Sequence, residues 1–315
     1  MGAMTEWWNQ LWAGLRARGG VAVPPAAAAA SGEAPVAADD GEFVDADTDL
    51  VAWVLDSEPL RDSGLDGAET RGLAWLDGLV DGARAPAELL PRAPAVVPQL
   101  LSLLRQGDAS LGALSQRVAK DVMLTAEVLR QASSVAYRAD GAVIDVEQAL
   151  ALLGTEGLRQ VIARVVLRPL FDGHAGPLSA RAAVRLAAQA ERQAQCAVAL
   201  AAERGIDRFE AYLGALVHST GWIVVFRALD RCEAPPSLPF TRGFARALLA
   251  RKDALFGKVV GPWQLTPGLS ELCIVLARRG AVASPLGAVL EQSQRLAAMQ
   301  VLQRGATPPP IQPAA

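Results

Sequence analysis

Histidine, cysteine and lysine are all scarce in this sequence. His174 and His218 are the only two histidines, so a metal centre built from several imidazoles cannot be assembled from the chain. The cysteines Cys196, Cys232 and Cys273 are odd in number and far apart, and no CxxC pair occurs. That excludes a zinc ribbon and a disulfide framework and predicts free thiols in a reducing compartment. Lysine is represented by Lys120, Lys252 and Lys258 alone against twenty-seven arginines, a bias of genome composition more than of chemistry. Aromatics make up only 5% of the chain, too few for a typical β-sandwich. Neither GxGxxG nor GxxxxGK[ST] is present, so there is no phosphate loop. No uninterrupted apolar run reaches about 18 residues; residues 160–171 come nearest and are broken by Arg164 and Arg168. Residues 1–18 do not read as a signal peptide, because Glu6 precedes the apolar part and no small-residue cleavage pattern follows.

What is present is a chain of 315 residues, 51% hydrophobic, long enough for one large domain or two ordinary ones. Ala, Leu and Val dominate the apolar content, which favours packed helices. The net charge of −3 hides a division: residues 33–81 carry −12, and residues 86–315 carry +7. Residues 1–18 form an amphipathic, Trp-rich helix whose Trp8, Leu11, Trp12 and Leu15 share one face. Residues 19–48 read as an Ala/Pro/acidic linker, and residues 49–85 as short acidic helices around Leu50, Trp53, Val54 and Leu73, Trp75, Leu76. The run DDGEFVDADTD (residues 39–49) superficially resembles a calcium loop but lacks its Gly and closing Glu, and reads as solvated linker. Opposite charges on one chain predict that the acidic arm docks on the basic body.

From residue 86 the helical periodicity is dense. Leu124, Val128 and Leu129 mark one helix; Val146, Leu150 and Leu153 mark another that ends at Gly154; Leu158, Ile162, Val166 and Leu170 mark a third. A second block is expected to be helical over residues 182–204, 208–230, 241–256, 266–278 and 284–303. The expected fold is all-α: a five-helix half (86–172), an HD-like helical half (178–304), a flexible N-terminal acidic arm, and a Pro-rich tail (305–315).

Several strings carry a family resemblance. LPRAPAVVPQLLSLL (90–104), DASLGALSQRVAKD (108–121), LTAEVLRQASSVAY (124–137) and above all IDVEQALALLGTEGLRQVI (144–162) resemble, in order and spacing, the HDOD family of HD-related output domains in bacterial signalling proteins. The resemblance extends over about residues 86–286. It departs from the family at Val122, where Pro is usual, and at Ser133, where Asn is usual. Related HD phosphohydrolases hold metal with an upstream helical His and a His-Asp pair, so that the metal polarises phosphate and acidifies water. YLGALVHSTGWIVV (212–225) is similar to the helix of that pair but reads His218-Ser219, and the resemblance puts Gln189 at the upstream position. Ser219 cannot supply an anionic oxygen, so the ligand set implied by the resemblance is vestigial at Gln189, His218 and Ser219.

The resemblance implies a non-catalytic bacterial output or adaptor module, cytoplasmic, without cofactor, that binds signalling proteins of two-component or cyclic-di-GMP networks. Two alternatives come from other classes. One is a divergent metal-dependent HD-type phosphohydrolase. The other is a scaffold tethered to a membrane surface through Trp7, Trp8, Leu11 and Trp12. These four residues are equally the candidate docking face for a protein groove, which near-zero helix charge favours over anionic lipid. Arg242, Arg246, Arg251 and Lys252 are the candidate contacts for an acidic partner. The +7 is spread too thinly, and nucleic-acid motifs are too completely missing, to expect a nucleic-acid partner.

Overall fold

The computed structural model describes residues 40–82, 86–90, 122–136, 146–171, 176–280 and 284–303, with Ala93, Ala95, Val96, Pro98 and Val118. Among these, every regular element is a helix, and the single bridge of strand type joins Arg61 to Thr241. The fold is all-α. It divides into two units, one of residues 1–40 and 98–166, the other of residues 41–97 and 167–315.

In the first unit, α3 (Val122–Ala136) and α4 (Val146–Leu167) bury Leu124, Val128, Ala132, Ala149, Leu150 and Ile162. Arg164 of α4 reaches Glu127 at 2.6 Å and Gln131 at 3.0 Å on α3. Gly154 interrupts α4 at φ 64°, where a side chain would be strained. The two helical runs expected on either side of Gly154 are present, separated at that non-helical residue.

The second unit holds α1 (Asp40–Val54), α2 (Gly67–Asp81), α5 (Pro177–Arg204), α6 (Arg208–His218), α7 (Thr220–Asp230), α8 (Arg242–Val260), α9 (Pro267–Ala277) and α10 (Pro285–Gln303). α5 packs along α6, α7 and α10, while α8 packs along α7, α9 and α2. Helix starts are written in the sequence: Asp207, Thr241 and Thr266 accept the backbone N–H three residues on, and Pro267 opens α9. Gly205, left-handed at φ 66°, ends α5. The carboxylate of Asp230 caps α5, accepting from Leu178 N at 2.8 Å and Ser179 N at 2.9 Å.

The acidic segment is where structure and expectation part. The linker assigned to residues 19–48 gives way at Asp40 to α1, and residues 41–97 belong to the second unit instead of forming a flexible arm. The reason is apolar burial: Leu50, Val51, Val54, Leu55, Leu73, Leu76 and Val80 are all core residues. Each buried Leu or Val is worth about 1.5–3 kcal/mol. Glu69 adds a polar weld. Fully buried, it caps α2 with Asp66 and accepts from Thr241 N at 2.7 Å and Thr241 Oγ1 at 2.8 Å, joining the starts of α2 and α8. The run of residues 208–230, expected as one helix, is two helices meeting at Ser219. By length and composition this run, Arg208–Asp230, is also apolar enough to cross a membrane, which residues 160–171 are not; 94% of its apolar 18-residue window is buried as core.

Candidate functional site

His218 ends α6 against α5, α8 and α10, in the second unit. Its side chain is buried, with the Phe256 ring set perpendicular to it at 5.0 Å between centroids. Gln193 of α5 fixes the ring. Its amide nitrogen lies 3.1 Å from Nδ1 and 3.3 Å from Leu290 O, while its amide oxygen accepts from Ser219 Oγ at 3.2 Å. With the amide donating to Nδ1, the ring proton is assigned to Nε2, which donates to Asp253 Oδ1 at 2.8 Å. Burial, joined by the charge of Lys252, pushes the imidazole below its ordinary pKa against the pull of Asp253, so the ring is neutral.

Lys252 completes the centre. Its side chain is 1% exposed. Its ammonium lies 2.7 Å from Asp253 Oδ1, 2.5 Å from Gln294 Oε1 and 3.2 Å from His218 Nε2, over the Trp222 ring at 5.8 Å. Burial alone would raise the Asp253 carboxyl, but the Lys252 charge and the His218 hydrogen bond outweigh it and hold the group ionised. Gln294 passes the network on to Asp47 of α1, donating to Asp47 Oδ1 at 3.3 Å, with Arg295 at 3.7 Å from the other oxygen. Burial lifts Asp47 from its ordinary 3.8 to about 6, against the lowering effects of Gln294, Lys252 and Arg295. The backbone of α8 comes this close because residue 221 is glycine: a Cβ there would stand 2.9 Å from Lys252 O. A cleft of about 370 Å³ opens beside the centre, with Asp47, His218, Asp253 and Gln294 on its polar side and Leu249, Leu272, Leu276 and Leu290 on its apolar side.

His218 and Ser219 are brought together, but through Gln193. Gln189, one helical turn earlier, is buried with neither amide atom hydrogen-bonded to the protein. The sequence pattern singled out Gln189 and missed Gln193, whose only signal is its place four residues on, on the same face of α5. Asp253, Gln294 and Asp47 were also missed, since they come from separate helices and carry no motif. Lys252, expected as a surface contact for an acidic partner, is instead interior; its neighbours Asp253 and Gln294 explain why a lysine is tolerated there. Arg242 pairs with Asp49 at 2.7 Å and Asp62 at 3.0 Å, Arg251 pairs with Asp77 at 2.6 Å, and Arg246 is exposed. Trp7, Trp8, Leu11, Trp12 and His174 lie outside the described residues. The three cysteines are free thiols, and burial pushes the Cys273 thiol up to about 12, which leaves it unreactive.

A metal of the HD type does not fit these residues. Ser219 stands where the carboxylate of the pair is needed, Nδ1 of His218 is spent on Gln193, and Nε2 faces an ammonium. Among the described residues no three His, Cys, Asp or Glu side chains gather closely enough to hold a metal ion.

The HDOD domain family matches residues 90–234. A crystal structure of a putative metal-dependent phosphohydrolase from Shewanella amazonensis shares the fold at 19% identity and a TM-score of 0.50, over 76% of this chain and 86% of that one. A putative signal transduction protein from Marinobacter aquaeolei is 21% identical with a TM-score of 0.46, over 77% of this chain and 57% of that one. An HDOD domain protein of unknown function from Geobacter sulfurreducens is 18% identical with a TM-score of 0.40, over 75% and 94%. No curated protein is significantly similar to the chain.

Proposed function

We propose that this HDOD-containing, signalling-associated protein is a non-catalytic output or adaptor module of the bacterial cytoplasm that acts by binding other signalling proteins. One observation carries the reading: the side chains at the vestigial His-Asp pair are both spent on Gln193. Gln193 holds His218 with its amide nitrogen and Ser219 with its amide oxygen, both buried. No anionic ligand stands beside His218 on its own helix, so the charge that would bind a divalent ion and acidify water is missing there. The phosphohydrolase alternative is separated by an assay. The full chain, supplied with Mn²⁺, Fe²⁺ or Ni²⁺ and a phosphodiester such as bis-p-nitrophenyl phosphate, is expected to give the same background rate as its His218→Ala variant. Metal-dependent turnover that disappears in His218→Ala overturns the reading.

A further inference from the structure

The misfit between these residues and a divalent metal leaves one question: what role the buried ammonium of Lys252 plays beside Asp253, which lines the cleft and is partly exposed. We infer that the His218 centre is a cation site whose cation is built into the chain, the Lys252 ammonium, and that shortening this side chain opens a site for a small primary ammonium ion. Two groups accept from Nζ, Asp253 Oδ1 at 2.7 Å and Gln294 Oε1 at 2.5 Å, and Trp222 offers its ring face; His218 Nε2, its proton directed to Asp253, borders the ammonium at 3.2 Å without accepting from it. A buried ammonium is costly unless paired and hydrogen-bonded, and here it is both. The chemistry suits a monovalent organic cation better than a divalent metal: one carboxylate, one amide oxygen and a π face supply acceptors for N–H groups, while Asp47, the carboxylate on the far side of Gln294, takes its hydrogen bond from that amide. Access exists as well, because His218, Asp253 and Gln294 all line the cleft of about 370 Å³.

The inference rests on the same centre as the proposed function, yet the two fail separately: an inactive, metal-free chain that tolerates loss of Lys252 would sink this inference alone. The test uses the full chain. Lys252→Met leaves the partly exposed Asp253 with only the His218 hydrogen bond, and the variant's Tm is expected to fall by roughly 5 °C. Adding Asp253→Asn should recover part of that loss, giving a double-mutant cycle with clear coupling. Lys252→Ala removes a side-chain fragment equivalent to n-propylammonium. That ion, added to the variant, should raise its Tm saturably, or its folded fraction by circular dichroism if it is unfolded in buffer. Wild type, and the variant given n-propanol at equal ionic strength, should not respond. Additive effects in the cycle, or no response to the amine beyond that to the alcohol, overturns the inference.

Discussion

Gln193 touches the His218 ring directly, and Asp47 joins the same network through Gln294. Gln193→Ala would leave Nδ1 of His218 without its partner in a buried site, while Ser219 Oγ keeps Ala215 O and Leu290 O keeps Ser293 Oγ. The expected loss is about 1–3 kcal/mol in urea-unfolding stability. For Asp47 the sign follows from its raised folded pKa. The carboxyl titrates near 6 when folded and near 3.8 when unfolded, so its ionisation opposes folding, with no penalty below 3.8 and the full penalty above 6. That penalty is on the order of 3 kcal/mol. Asp47→Asn escapes it, so the stability of the Asn variant relative to wild type should climb as pH rises from about 4 to 7. Urea denaturation of both proteins across that range checks it, and a flat or falling difference goes against the burial assigned to Asp47. Neither residue was marked by motif. His218 and Ser219 were legible because they sit in a helix resembling the family's; their partners come from α1, α5, α8 and α10, and that convergence exists only after folding.

At the scale of elements, the sequence was most readable where periodicity and caps coincide. Thr241, Thr266 and Asp207 each sit one residue before the helix they start, and Gly154 and Gly205 mark left-handed positions. It was least readable in the acidic stretch. DDGEFVDADTD offers few apolar side chains, and its helix is held by the tertiary burial of Leu50, Val51 and Val54 further along, a contribution that local pattern does not record. Close approach between helices is likewise invisible before folding. Gly257 of α8 lies so near α9 that a Cβ would stand 2.5 Å from Cys273 O and 2.6 Å from Ala277 N. Gly257→Ala should therefore force the helices apart and cost about 1–3 kcal/mol. Gly78 of α2, with nothing within 4 Å of its would-be Cβ, is the control. Gly78→Ala should stabilise by about 0.5–1 kcal/mol through helix propensity. Thermal unfolding of the two variants measures the contrast.

Across the whole chain, the division of charge into an acidic stretch and a basic remainder is used inside one unit. Asp49 and Asp62 meet Arg242, Asp77 meets Arg251 and Arg279, and Asp56 meets Arg185. These partly exposed pairs orient α1 and α2 more than they stabilise them; the apolar residues beneath do the holding. Such a unit presents a helical body in which His218 is held by Gln193 and Asp253, with the Lys252 ammonium beside it, at the edge of a cleft. Elemental analysis of the purified full chain, after exposure to Mn²⁺, Fe²⁺ and Ni²⁺ and removal of excess ion, tests this most directly. Metal well below one ion per chain, and unchanged in His218→Ala, is the result expected. A stoichiometric ion that disappears in His218→Ala would contradict it.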